Sequence, residues 1–219
     1  MTNLEDALLA VEAGADAVGF VFYEKSPRNV SVDAARKIVE QLPAKIEKVG
    51  VFVDAGCNGM RDAVAGAGLT AVQLHGRRSL ESACQDARPV TESLGVSRLI
   101  PMIPGNRLNE TDGGVIINGQ IREKIFAVLV DSQVNGVGGG TGVPFDWHAT
   151  KEMIQVLGRS FPVIVAGGLT SSNAADALRT FQPFGLDVVS GVEASPGKKD
   201  PEKVRAFVQA VREYDRRVG

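Results

Sequence analysis

The chain has 219 residues, of which 44% are hydrophobic and 23% charged, and its formal net charge is −2. That length suits one sizeable core and a single domain over 1–219, and the near-neutral balance argues against a general affinity for nucleic acid. No apolar run approaches the roughly 18 residues of a membrane span, no signal-peptide pattern opens the chain, and Cys57 and Cys84 form neither a metal cluster nor a disulfide framework, so a reducing cytoplasm and no membrane partner are expected.

In chain order, Thr2 and Asn3 are helix N-caps, and Glu5 and Asp6 suit the positive end of a helix dipole. Leu4, Ala7, Leu8 and Val11 recur at helical spacing until Gly14, which predicts a helix over 4–13 and then a buried strand over 16–22. Ser31 caps a helix over 31–42, followed by strand 48–53, helix 58–66, strand 71–75 and helix 79–87. "SRLIPMI" reads as a strand flanked and interrupted by proline, and 107–124 as a glycine-broken helical unit. "IFAVLVDS" is a further strand, then come helix 146–158, strand "FPVIVAGG", helix 171–181, strand 186–190 and a last helix over 201–215.

Continuous apolar strands alternating with helices through short links predict a parallel sheet covered on both faces. Seven strands and eight helices are predicted, and the first helix delivers the chain into a strand with only Met1 ahead of its cap. The fold class expected is an α/β protein of the TIM (β/α)8 barrel type, with the first β-strand absent from this chain. An open doubly wound sheet is the alternative, and the character of the strand ends favours the barrel.

Two of those ends are "VIVAGGLTSSN" and "DVVSGVEASPGKKD". Gly167, Gly168, Ser190 and Gly191 each stand where a strand yields to its loop, and glycine there lets backbone N–H groups approach an anion. Barrels commonly build a phosphate site from their last two strand–helix loops; the plainer alternative is that these glycines merely permit tight turns. Asp131 ends "FAVLVD", which puts a carboxylate at the catalytic end of a buried strand, where it can act as a proton donor; capping its own loop is the alternative. Asp187 is expected at the start of its strand, on the opposite, stabilising side.

"DSQVNGVGGGTGVPFDW" reads as a loop able to close over a ligand. Arg28, after the first strand, can pair bidentately with a substrate carboxylate or simply be a surface cation. His75 ends "VQLH" and is a possible acid–base group, with a hydrogen-bonded structural histidine the commoner case. Cys57, on the loop after "VFVD", faces the same side and is a possible site residue, although no activating neighbour is evident.

Taken together, "TNLEDALLAVEAGADAVGFVFYEKSPR", "KVGVFVD", "VQLHG", "VDS…GGTGVPFDW", "VAGGL" and "DVVSGVEASPGKKD" resemble the phosphoribosylanthranilate isomerase family of tryptophan biosynthesis. The likeness covers nearly the whole chain and is weakest over 88–124. It implies an Amadori rearrangement of N-(5′-phosphoribosyl)anthranilate, a small phosphorylated substrate, with no cofactor and no metal. It also implies Asp131 as the acid that protonates the ribose ring oxygen, Arg28 near the anthranilate moiety, and Gly167, Gly168, Ser190 and Gly191 around the phosphate. Chain ends and loop lengths are compatible with a monomer or a homodimer.

The family's general base is a cysteine in a "K-x-C-G-I-T" strand directly before "TNLEDA", and Met1 stands here where that motif has isoleucine. This makes turnover by residues 1–219 alone doubtful. Cys57 lies two strands further round, too far to replace the base. Two other functions compete: a phosphosugar-binding barrel without catalysis, and a different phosphate-binding barrel isomerase such as that of histidine biosynthesis. The second needs an aspartate at its first strand and a second phosphate cradle halfway along the chain, and neither is present in the sequence.

Overall fold

The computed structural model describes residues 1–75, 96, 98–104, 125–131 and 147–218. Its helices are α1 (Leu4–Ala13), α2 (Val32–Val39), α3 (Cys57–Ala67), α4 (Trp147–Gly158), α5 (Ala174–Phe181) and α6 (Pro201–Val218). Seven parallel strands are described, β1 (Ala17–Phe22), β2 (Glu47–Val53), β3 (Ala71–His75), β4 (Arg98–Pro104), β5 (Val128–Asp131), β6 (Val163–Ala166) and β7 (Gly185–Leu186), followed by a hairpin of β8 (Glu193–Ser195) and β9 (Lys198–Lys199). The helices expected at 79–87 and 107–124, the glycine-rich loop after Asp131 and Cys84 lie outside the described residues. Among the described residues, no helix is long and apolar enough to cross a membrane.

Contacts divide the chain into two compact units, Met1–Met102 with Ile117–Phe126, and Ile103–Ile116 with Ala127–Gly219. In the first, β1 pairs with β2, β2 with β3 and β3 with β4, all in parallel. In the second, β5 pairs with β6 and β6 with β7, again in parallel. Parallel pairing sends every C-terminal strand end of a unit the same way, so the loops that follow the strands gather at one end of each unit.

The helix starts follow the sequence closely. The Asn3 carboxamide accepts from Asp6 N–H at 2.8 Å and donates to the Asp6 carboxylate at 2.9 Å, closing the first turn of α1 on both partners. Gly14 ends that helix at φ 103°, a conformation glycine adopts without steric strain. Ser31 caps α2 by accepting from Ala34 N–H. The buried face of α1 is Ala7, Leu9 and Ala10, while Leu4, Leu8 and Val11 are half-buried, so the apolar stripe is wider than the four expected positions and is centred beside them.

Phe20 of β1 and Val128 and Val130 of β5 are fully enclosed, as are the helix alanines Ala7, Ala35, Ala174 and Ala177. Near its start β2 carries a buried lysine. Lys48 donates from Nζ to the Pro43 and Ala44 carbonyls at 2.9 and 3.3 Å, so its charge closes the turn that follows α2.

Two expectations are corrected here. The strand expected over 186–190 is paired only at Gly185–Leu186, and Ser190–Val192 turn into a 3-10 helix. A strand extends only as far as a neighbour hydrogen-bonds it, and β6, itself ending at Ala166, is the one strand partner of β7 among the described residues. Asp187 therefore lies beyond the C-terminal end of β7, not at its start; its N–H donates to the Val165 carbonyl at 2.9 Å. Helix 171–181 is shortened at its front, because 171–173 form a turn that leads into α5 at Ala174.

Candidate active site

In the first unit, the segment from Tyr23 to Val30 carries Arg28 on a loop closed by its own polar groups. Tyr23 N–H donates to the Asn29 side-chain carbonyl at 2.9 Å, Arg28 N–H to the Ser26 hydroxyl at 3.1 Å, and Val30 N–H to the Val21 carbonyl at 3.0 Å. Arg28, half-buried, is thus presented just beyond the C-terminal end of β1. Asn29 is part of this arrangement that the sequence reading missed, and an Asn beside a Pro-containing turn was the available signal.

The neighbouring strand ends bring up His75 and Cys57. His75 is the last residue of β3, opposite Val53 of β2, and its backbone carbonyl accepts from Asp54 N–H at 3.2 Å. Its Nε2 is buried although the residue keeps some exposure. Desolvation lowers its pKa from 6.5 to about 4, so the imidazole is neutral at pH 7. Cys57 is the first residue of α3, half-buried and in no disulfide.

The lowered pKa of His75 makes a testable statement about stability. Between about pH 4 and 6.5 the unfolded chain binds a proton there that the folded chain does not, so stability from this group is present above 6.5 and falls as the pH drops to about 4. The full effect is at most about 3 kcal/mol. Urea titrations at pH 7 and pH 4.5 should show a smaller pH-dependent loss in His75→Gln than in the original chain. Equal losses in both would contradict the assignment.

In the second unit, Asp131 closes β5 opposite Ala166, and the next two residues of β6's chain are Gly167 and Gly168. Both glycines have positive φ, 93° and 63°, as a sharp exit from a strand requires. Beyond them Asn173 donates from Nδ2 to the Gly168 carbonyl at 3.0 Å and accepts Thr170 N–H at 2.8 Å. Gly191 has a different reason to be glycine. A Cβ there would stand 1.8 Å from the Leu169 carbonyl oxygen, so the two loops meet backbone against backbone, and only glycine allows it.

Ser190 and Gly191 sit in the 3-10 turn after β7, which is fastened from the hairpin. Lys199 donates to the Val189 carbonyl at 3.0 Å and pairs with the buried Glu193 carboxylate at 3.4 Å, and Lys203 donates to the Glu193 carbonyl at 2.9 Å. The hairpin was not expected from the sequence, although Pro196–Gly197 between Ser195 and Lys198, with Gly197 at φ 84°, is a turn signal. Asp131, Gly167, Gly168, Ser190 and Gly191 are therefore all at strand ends of one unit, while Arg28, His75 and Cys57 are at strand ends of the other.

Parallel strands alternating with helices, with the polar and glycine positions at the strand C-termini, define an α/β protein of the (β/α)8-barrel class. Residues 1–210 match the family profile described as N-(5′-phosphoribosyl)anthranilate (PRA) isomerase. A curated relative, N-(5′-phosphoribosyl)anthranilate isomerase of Pseudomonas fluorescens strain Pf0-1, is 42% identical over 212 residues, spanning 97% of this chain and 95% of its own. The crystal structure of phosphoribosyl anthranilate isomerase from Thermotoga maritima is similar with a TM-score of 0.81 and 38% identity, covering 97% of this chain and 96% of that one. A crystal structure of a phosphoribosyl anthranilate isomerase in complex with reduced 1-(o-carboxyphenylamino)-1-deoxyribulose 5-phosphate is similar with a TM-score of 0.76 and 35% identity, covering 97% of this chain and 95% of that one. The chain belongs to the phosphoribosylanthranilate isomerase family, whose members are isomerases of tryptophan biosynthesis.

Proposed function

We propose that this chain binds N-(5′-phosphoribosyl)anthranilate as a single barrel domain and converts it, by an Amadori rearrangement, to 1-(2-carboxyphenylamino)-1-deoxyribulose 5-phosphate. The observation that carries the reading is the meeting of two strand-end loops, at Gly191 and Leu169, beside the positive-φ pair Gly167–Gly168. In this reading the backbone N–H groups of Gly167, Gly168, Ser190 and Gly191 cradle the phosphate, since glycine turns leave donors uncovered by side chains. Arg28 pairs with the anthranilate carboxylate.

Asp131 supplies the acid. Its proton passes to the ribose ring oxygen as the C1–O bond breaks, and the nitrogen lone pair forms the C1=N bond of an iminium ion. Loss of the C2 proton to a base gives the enol-amine, and protonation at C1 with loss of the enol O–H proton gives the 2-ketone. The family pattern puts that base on a cysteine in a strand that ends where Met1 stands. His75, neutral at pH 7 and buried at its Nε2, and Cys57, at the start of α3, take no proton-transfer step in this reading. The cytoplasm is the setting that fits such a biosynthetic step.

Calorimetry with the ketose product tests the binding half of the reading. The product should bind, and inorganic phosphate and anthranilate should each compete with it. Binding that neither competitor weakens would overturn the assignment of the two ends of the ligand.

A further inference from the structure

Asn173 has an unusual use of its side chain. An Asn immediately before a helix normally accepts an N–H from the first turn of that helix. Asn173 precedes α5 but makes no such bond, and it has φ −115° and ψ −4° instead of the extended backbone of a capping residue. Both of its polar atoms are turned back on the preceding loop, Nδ2 to the Gly168 carbonyl and Oδ1 to Thr170 N–H, one on either side of Leu169.

That loop needs an external hold. Gly167 and Gly168 are consecutive and both in the left-handed region, and glycine has the most backbone freedom to lose on being fixed there. Leu169 is buried, and its carbonyl oxygen occupies the space that a Cβ on Gly191 would fill. A shift of the 168–170 backbone would therefore move against the Ser190–Gly191 turn as well.

We propose that Asn173 is a positioning residue for the phosphate: its carboxamide fixes the Gly168–Thr170 backbone, and through the Leu169–Gly191 contact it sets the spacing of the two halves of the cradle. The proposal rests on the phosphate-cradle reading above and deepens it. Asn173 touches no reacting atom, so its effect is on affinity for the phosphate end of a ligand and not on the anthranilate end.

The test is calorimetric titration of the full chain with inorganic phosphate and, separately, with anthranilate. Asn173→Ala removes both clamping bonds and should weaken phosphate by about 10-fold while leaving anthranilate within about twofold. Asn173→Asp keeps the acceptor for Thr170 N–H but sets an anionic oxygen against the Gly168 carbonyl. This variant, isosteric and expected to fold, should weaken phosphate at least as much as Ala does. Phosphate affinity within twofold of the original in both variants overturns the proposal and leaves the cradle standing. Equal weakening of phosphate and anthranilate also overturns it, because the residue is then a general prop. If the unaltered chain binds anthranilate but no phosphate, the cradle reading fails and takes this proposal with it.

Discussion

Asp131→Asn should lower isomerase turnover by about 100-fold or more in a form of the chain supplied with the family's cysteine strand. The substitution keeps the shape and one hydrogen-bonding oxygen of the side chain and removes the transferable proton. The backbone that carries it is held firmly: Ala127 to Val130 are buried, and β5 is paired with β6 up to the Asp131–Ala166 register itself. Affinity for the ketose product should change little, because a ground-state ligand does not take the proton. A loss of kcat with KM nearly constant is the signature of an interaction made in the transition state. A fall in turnover of less than about threefold would remove Asp131 from the mechanism.

Much of the fold is legible in the sequence because it rests on local patterns. The apolar runs at 16–22, 48–53 and 71–75 are strands β1 to β3 within a residue at each end, and the caps at Asn3 and Ser31 are made by the expected side chains. "DVVSG" has the same apolar character yet is not a strand, since pairing depends on a neighbour that no local pattern reports. The error in β7 is what put Asp187 at the wrong end of it.

The candidate site divides in the same way. Asp131 and the Gly167–Gly168 pair are visible as a carboxylate and glycines at strand ends, and the positive φ values fit the turn that was read there. The reason for Gly191 is not visible, because the carbonyl it must admit belongs to Leu169, far off in sequence. Asn173 looks like an ordinary helix cap and acts as a loop clamp, a difference of side-chain direction that residue type leaves open. The buried Glu193–Lys199 pair needs the hairpin to bring it together, and Pro196–Gly197 was its only trace.

Residues 1–219 alone should turn over substrate poorly, and the same chain with a strand of the type "VKICGI" in place of Met1 should be both more stable and active. Among the described residues β1 and β7 each have a single strand partner, and such edges leave backbone groups without a ladder. Pairing such an edge should raise stability by about a few kcal/mol, whichever residue stands at the cysteine position. Turnover should differ: the thiol supplies the base for the C2 proton, worth about a thousandfold. The measurement is therefore steady-state conversion of N-(5′-phosphoribosyl)anthranilate by three proteins, the 219-residue chain, its extension with cysteine, and its extension with Cys→Ala, alongside their urea midpoints. The account predicts high turnover only in the cysteine form and raised stability in both extended forms; turnover by the 219-residue chain equal to that of the cysteine form, or none in any of the three, would contradict it.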